Sequence, residues 1–194
     1  MKADSDVLKR FISELEKLGA TAELLETRTQ VVKHLSDFVR EKGAKMVLAY
    51  GLERMLSSEL SKAITSMGIS YFDINDVDRR DLRKLLERAD IGITGADLAV
   101  AETGSLIITS ENDAARLLSC LPPIHVAILP RENILDSFLD LAEWLRKMQG
   151  TSKRTVSVIT GPSRTADIEL EIVLGVHGPC ELHVIILGGA LSEG

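Results

Sequence analysis

The chain has 194 residues, a length that predicts one compact domain, or one domain with a small appendage, and leaves no room for a multidomain enzyme. With 45% hydrophobic and 27% charged residues it can bury a sizeable core and stay in solution, which excludes disordered and fibrous classes. The net charge of -6 lies wholly in the second half: residues 1–90 hold 16 basic and 16 acidic side chains, residues 91–194 seven and 13, and no local basic stripe offers a surface to nucleic acid.

The pattern of elements begins with Leu8, Phe11, Ile12, Leu15 and Leu18, which predict an amphipathic helix over 5–18 that stops at Gly19. A short strand over 21–26 and a second helix through Val31, Val32, Leu35 and Val39 follow. Residues 1–45 are expected to form a helical and strand segment, in part a separate arm, ahead of an α/β domain over 46–194. The apolar run 46–50 reads as a buried strand. Then come a helix over 57–67, a strand over 70–73, a charged helix over 78–87 and a strand over 91–94. Strand 105–109, helix 113–119 and strand 124–129 lead to the clearest helix, 131–149, lined by Ile134, Phe138, Leu141, Leu145 and Met148. Strand 155–159, a helix over 166–174 and strand 182–187 complete the chain.

This alternation predicts an α/β fold, a layered, mostly parallel sheet flanked by helices on both faces, with ligands gathering at the carboxyl ends of its strands. The amino terminus is not apolar enough for a signal peptide, and the longest apolar runs are strand-sized, so a cytoplasmic protein without a membrane span is expected. Cys120 and Cys180 are too few for a disulfide framework or a thiolate metal site and read as small buried or turn residues. No pair of histidines has metal-ligand spacing and no dinucleotide or Walker fingerprint occurs, so neither metal nor cofactor is expected.

Three segments can carry chemistry. In the first, strand 91–94 ends in Gly95-Ala-Asp97, followed by Glu102-Thr103-Gly104-Ser105. Glycine allows close backbone approach, and Asp97 and Glu102 at one strand end can divide acid and base work. The same residues also suit a turn cap and a solvated loop. In the second, Gly161-Pro-Ser163-Arg164-Thr165 sits between a strand and an expected helix, where free amides, hydroxyls and the guanidinium would hold a phosphate or carboxylate. Thr165 as an ordinary helix cap with Arg164 on the surface is the alternative. In the third, the Gly178-Pro179 turn fixes His177, which either transfers protons or hydrogen-bonds the turn. His125 and His183 read as satisfied, partly buried strand residues, and His34 as a surface residue.

Gly92-Ile-Thr-Gly-Ala-Asp97, Ala101-Glu-Thr-Gly-Ser-Leu106, Leu121-Pro-Pro-x-His125, Gly161-Pro-Ser-Arg-Thr-Ala-Asp-Ile-Glu169 and Gly175-Val-His-Gly-Pro179 with Leu182-His-Val184 together resemble the LUD-domain family, the group that includes the lactate utilization protein C type. The resemblance implies a fold like that of ribose-phosphate isomerases and coenzyme A transferases. It also implies a cluster-free part in oxidising L-lactate to pyruvate beside iron–sulfur partner proteins, since larger family members carry a cysteine-rich region that this sequence lacks. Thr94-Gly-Ala-Asp97 is similar to the Asp-Gly-Ala-Asp loop of the isomerases, and Glu102-Thr-Gly104 to the Glu-Asn-Gly of the transferases, where the glutamate is the nucleophile. Gly95, Thr103, Gly104, Ser105, Gly161, Ser163, Arg164, Thr165 and His177 are thus the expected contacts of a small anionic metabolite, and Asp97 and Glu102 the expected catalytic pair. A self-sufficient isomerase-like or transferase-like enzyme and a non-catalytic binding or assembly subunit stay open, as does assembly into a homo-oligomer.

Overall fold

Apolar periodicity translates directly into elements in the computed structural model, which describes residues 4–111, 113–148, 150, 155–166, 172–174 and 177–188. Helix α1 (Ser5–Lys17) buries Leu8, Phe11 and Leu15 along one stripe and ends at Gly19, whose φ is +80°. Strand β1 (Thr21–Leu25) leads to α2 (Arg28–Glu41), which starts from a capping box: the Thr27 hydroxyl accepts from the Gln30 amide and the Gln30 side chain accepts from the Thr27 amide. Next follow β2 (Met46–Tyr50), α3 (Arg54–Ser66), β3 (Ser70–Asp73), a 3-10 turn (Ile74–Asp76), α4 (Arg79–Leu86) and β4 (Ile91–Gly95). The chain continues through β5 (Leu98–Val100), β6 (Ser105–Ser110), α5 (Ala114–Cys120), β7 (Ile124–Pro130), a second 3-10 turn (Arg131–Asn133) and β8 (Ile134–Leu135). Helix α6 (Phe138–Lys147), β9 (Thr155–Ile159), β10 (Arg164–Ala166), β11 (Ile172–Leu174) and β12 (Glu181–Leu187) complete the order.

Six strands form a parallel sheet in the order β1-β12-β7-β4-β2-β3. Its central strands are apolar on both sides, as a sheet covered on both faces requires. On one face Val31, Leu35 and Val39 of α2 and Leu56, Leu60 and Ile64 of α3 pack on Val47, Ile93, Val126 and Ile185. On the other, Leu8, Phe11 and Leu15 of α1 meet Ala127, Leu129, Val184 and Ile186, and α5 places Leu118 against Leu48. This is the α/β architecture expected from the alternation, and residues 21–25 supply its edge strand through pairing with β12.

The alternation did not reveal a second sheet, β8-β5-β6-β9, stacked on the α1 side. Its strand β6 shows a period of two: Leu106 and Ile108 join the α1 core, while Ile107 turns to Leu141 and Trp144 of α6. Two expected helices are corrected. The one over 131–149 begins only at Phe138, because Ser137 and Asp140 form a capping box there and Ile134–Leu135 are taken up by pairing with β5. In place of the helix over 166–174, β10 and β11 pair antiparallel, with Thr165 opposite Val173, consistent with the strand preference of Ile172-Val173. Residues 167–171 lie outside the described residues. Cys120 and Cys180 are both exposed, which corrects the expectation of burial, and Cys180 does sit in a bend. Among the described residues no helix is long and apolar enough to cross a membrane.

Candidate functional site

Parallel strands bring all their carboxyl ends to one rim, and there the chain must turn away from the sheet. Strand β2 ends at Tyr50-Gly51 and β4 at Gly95-Ala96-Asp97. A side chain on Gly95 would strike the Gly51 carbonyl oxygen, so the two strand ends cross as closely as they do only because residue 95 is glycine, while Gly51 is favoured by its own φ of +69°. Above the crossing lies a cavity of about 340 Å³ lined by Tyr50, Asn75, Asp97, Thr109, Ser110 and Glu111. Below it a smaller apolar cavity of about 90 Å³ is closed by Leu52, Leu56, Ile128, Pro130 and Leu187.

Asp97 is fixed on both its backbone and its side chain. Its amide donates to the Ile107 carbonyl at 2.9 Å and its carbonyl accepts from the Asn133 side chain at 2.9 Å. Its Oδ2 accepts from the amide and hydroxyl of Thr109 at 2.7 and 2.9 Å. The carboxylate is thereby held at the mouth of the cavity in one orientation, as a positioned acid, base or ligand contact needs. Gly95 forms the floor.

Glu102 is placed elsewhere. Its Oε2 accepts from the amide of Phe138 at 3.0 Å, where it satisfies an unpaired donor in the first turn of α6, and it does not line the Asp97 cavity. The remaining expected residues gather around the carboxyl end of α1. Thr103, Ser105 and Thr160 form a chain of hydroxyls with contacts of 2.8 Å each. Gly104, at φ +63°, lies so close to α1 that a Cβ would be 2.7 Å from the Leu15 nitrogen. Gly161, at φ +83°, faces Leu18, and a Cβ there would lie 2.9 Å from the Leu18 Cβ. The Arg164 guanidinium lies across Gly19, at the electronegative end of α1. The Ser163 amide donates to the Pro179 carbonyl at 2.9 Å, and the His177 amide to the Ser163 hydroxyl at 3.4 Å, which joins the second and third motifs. With β10 following this loop, no helix N-terminus is present to supply amides to an anion.

The histidines differ from one another. His125 is fully buried, shares a 2.8 Å hydrogen bond between its Nε2 and the Thr94 hydroxyl, and leaves Nδ1 without a partner, which corrects the expectation of a satisfied, partly buried residue. Burial, with a smaller contribution from His183, pushes its pKa down to about 3. His183 contacts the Thr21 hydroxyl at 2.6 Å and Glu181 at 2.9 Å, and burial lowers its pKa against the raising effect of Glu181. His34 pairs with Glu23 at 3.1 Å.

Sequence reasoning missed a polar network beside the cavity. Ser57 donates to Asp73 at 2.8 Å and lies 3.1 Å from the Tyr71 hydroxyl, while Asp73 Oδ1 accepts from the amide and side chain of Asn75. Burial pushes Tyr71 up to about 12. Of these residues Asp73 and Asn75 had a usable signal, their place at and just past the carboxyl end of a predicted strand. Among the described residues no group of three or more His, Cys, Asp or Glu side chains is placed to hold a metal ion.

Comparison with known proteins agrees with this architecture. The chain is similar to a crystal structure of a DUF162 family protein from Deinococcus radiodurans, with a TM-score of 0.66 and 20% identity over 95% of this chain and 98% of that one, which is a likeness of fold. It is 32% identical to Lactate utilization protein C of Shouchella clausii over 81% of this chain and 69% of the relative. It is also 32% identical to Lactate utilization protein C of Anoxybacillus flavithermus over 94% of this chain and 79% of the relative. The LUD domain family model matches residues 8–187, from the buried stripe of α1 to the end of β12, so both the rim and the loops packed on α1 fall inside it, and the chain belongs to the LUD domain family.

Proposed function

We propose that this protein takes part in lactate utilization as a cluster-free component, with the electron transfer of L-lactate oxidation carried by iron–sulfur partner proteins. The observation that carries this reading is the similarity to relatives named Lactate utilization protein C along 94% of the chain. Deleting the gene is expected to impair growth on L-lactate while growth on glucose is kept, and normal growth on L-lactate would sink the role.

In this reading Asp97, held by Thr109 at the Gly95 rim, serves as acid or base only toward a group that occupies the rim itself. A small anion would sit apart from it, at the base of the β10–β11 hairpin. There the exposed Arg164 follows Ser163, whose hydroxyl accepts from the His177 amide, while the hydroxyls of Thr103 and Ser105 are linked to that of Thr160, just before Gly161. L-lactate at 100 times its dissociation constant is expected to add about 2.7 kcal/mol of stability. That gain should disappear in Arg164→Ala; an equal thermal shift in both proteins would remove the anion from this loop.

The position of Glu102 favours a second reading, that of a non-catalytic binding or assembly subunit. A nucleophile needs its carboxylate free to reach a substrate, whereas Glu102 is engaged with the amide of Phe138. Complementation of the deletion strain with Glu102→Ala separates the two: restored growth supports assembly, and loss of growth together with a Glu102-dependent acyl adduct supports a transferase-like enzyme.

A further inference from the structure

A strand at the margin of a sheet presents outward N–H and C=O groups that pair with any chain laid beside them unless something blunts the edge. Of the four strands that bound the two larger sheets, three are blunted. Strand β8 is two residues long, β3 is four and ends in Asp73, and β1 carries the exposed Glu23, paired with His34. Strand β9 has no such device. Its Thr155-Val-Ser-Val-Ile159 holds neither a charge nor a proline, all but Ser157 are β-branched, and it pairs with β6 from end to end without a bulge. Among the described residues no strand takes its other edge.

One row of β9 is also apolar and uncovered. Val156 lies opposite Thr109 of β6, and Val158 opposite Ile107. Ile107 is closed over by Leu141 and Trp144 of α6, but that cover stops short of β9, where Val156 is 44% and Val158 50% exposed. The opposite row is used by the fold, since Ile159 packs on the core beneath α1.

Charge around this edge has a single sign. Residues 144–166 hold five basic side chains, Arg146, Lys147, Lys153, Arg154 and Arg164, and no acidic one, within a half of the chain that carries -6. Four of the five precede the strand and one follows it, so an extended segment bearing carboxylates is attracted toward both of its ends. Apolar side chains at every second position of that segment would lie beside Val156 and Val158. A second copy fits less well: two β9 strands side by side, about 17 Å long, fall far short of the ~1,200 Å² of a stable interface and would bring the same cations together. Single-stranded nucleic acid needs aromatic faces between the cations, and this strand is aliphatic.

We propose that β9 is a docking edge for a partner protein, which adds to the sheet an extended segment whose apolar side chains alternate with Asp or Glu. The inference does not rest on the lactate role, because the edge and its charge belong to this chain whatever system it serves.

The test is amide hydrogen exchange, followed by NMR on the full-length protein at about 150 mM salt, with an end-blocked peptide of four Glu-Val repeats at about 1 mM. The β9 amides that exchange freely in the protein alone are expected to slow at least tenfold, the protection that a dissociation constant of about 0.1 mM gives, while the amides of β1 and β3 keep their rates. A peptide of four Lys-Val repeats and a short single-stranded oligonucleotide are expected to leave β9 unchanged. Val158→Glu, at an exposed position, is expected to remove most of the protection, because it sets a carboxylate against those of the peptide. The proposal is overturned if the Glu-Val peptide leaves these amides unprotected, if the Lys-Val peptide or the oligonucleotide protects them equally, or if Val158→Glu keeps the full protection. It is also overturned if raising the protein concentration alone protects them, which would make the edge an interface between copies of this chain.

Discussion

Gly104→Ala is expected to destabilise the protein by about 4 kcal/mol, and Gly43→Ala by about 1 kcal/mol, although both glycines have a φ of +63°. The left-handed backbone penalises any side chain at either position. What separates them is space. A Cβ on Gly43 meets nothing within 4 Å, whereas one on Gly104 meets the Leu15 nitrogen at 2.7 Å, the Glu14 carbonyl carbon at 2.9 Å and the Leu15 Cα at 3.0 Å. These are backbone atoms of a helix whose Phe11 and Leu15 are fully buried, so relief requires moving α1 off the core. Urea denaturation of the two variants checks this, and equal losses would mean that the turn does not depend on its contact with α1.

Stability is expected to fall by about 1.4 kcal/mol for each pH unit below 6.5, down to at least pH 4.5, through His125. In the unfolded chain this histidine takes up a proton near its ordinary value of 6.5, while in the folded protein burial holds its pKa at about 3. The unfolded state therefore binds more protons throughout that window, and acid favours it. The stabilisation is complete above pH 6.5 and is lost as pH falls toward the folded value. His183, lowered chiefly by burial, acts in the same direction. Glu181, lowered chiefly by its hydrogen bond to Lys42, contributes only below its ordinary value of 4.5. Thermal unfolding between pH 7 and 4.5 measures the slope, and His125→Gln should flatten it. A flat profile in the unsubstituted protein would show that the His125 ring gains a proton without unfolding.

Such burial is not visible in the neighbourhood of the residue along the chain. His125 lies in a strand that reads correctly as a strand, but full enclosure needs the layer above it. Close to it, Gly92 admits α5 so tightly that a Cβ would be 2.6 Å from the Leu118 carbonyl. The candidate site shows the same limit. Gly95 and Asp97 were legible as a strand-end turn because strand, glycine and carboxylate are local signals. That Asp97 and Glu102 part company was not: β5 lies between them, and three extended residues carry the chain about 10 Å. The 161–165 loop reads as the start of a helix from its composition, yet antiparallel pairing with Ile172–Leu174 makes it the start of a hairpin.

The sequence by itself determined the alternation of helices and strands, the burial of the central strands on both faces and the rim where Gly95 and Asp97 sit, because a repeating apolar pattern commits each segment to a period and a buried side. Only the tertiary structure decided what those segments meet. It set Thr109 under Asp97, placed the motif glycines and Arg164 against the end of α1, and spent Glu102 on α6. Those contacts join segments far apart in the chain, and their geometry depends on close packing between layers that no single stretch of sequence contains. The net charge of -6 took on a location in the same way: at the rim, carboxylates line the cleft, while Arg164 faces the end of a helix.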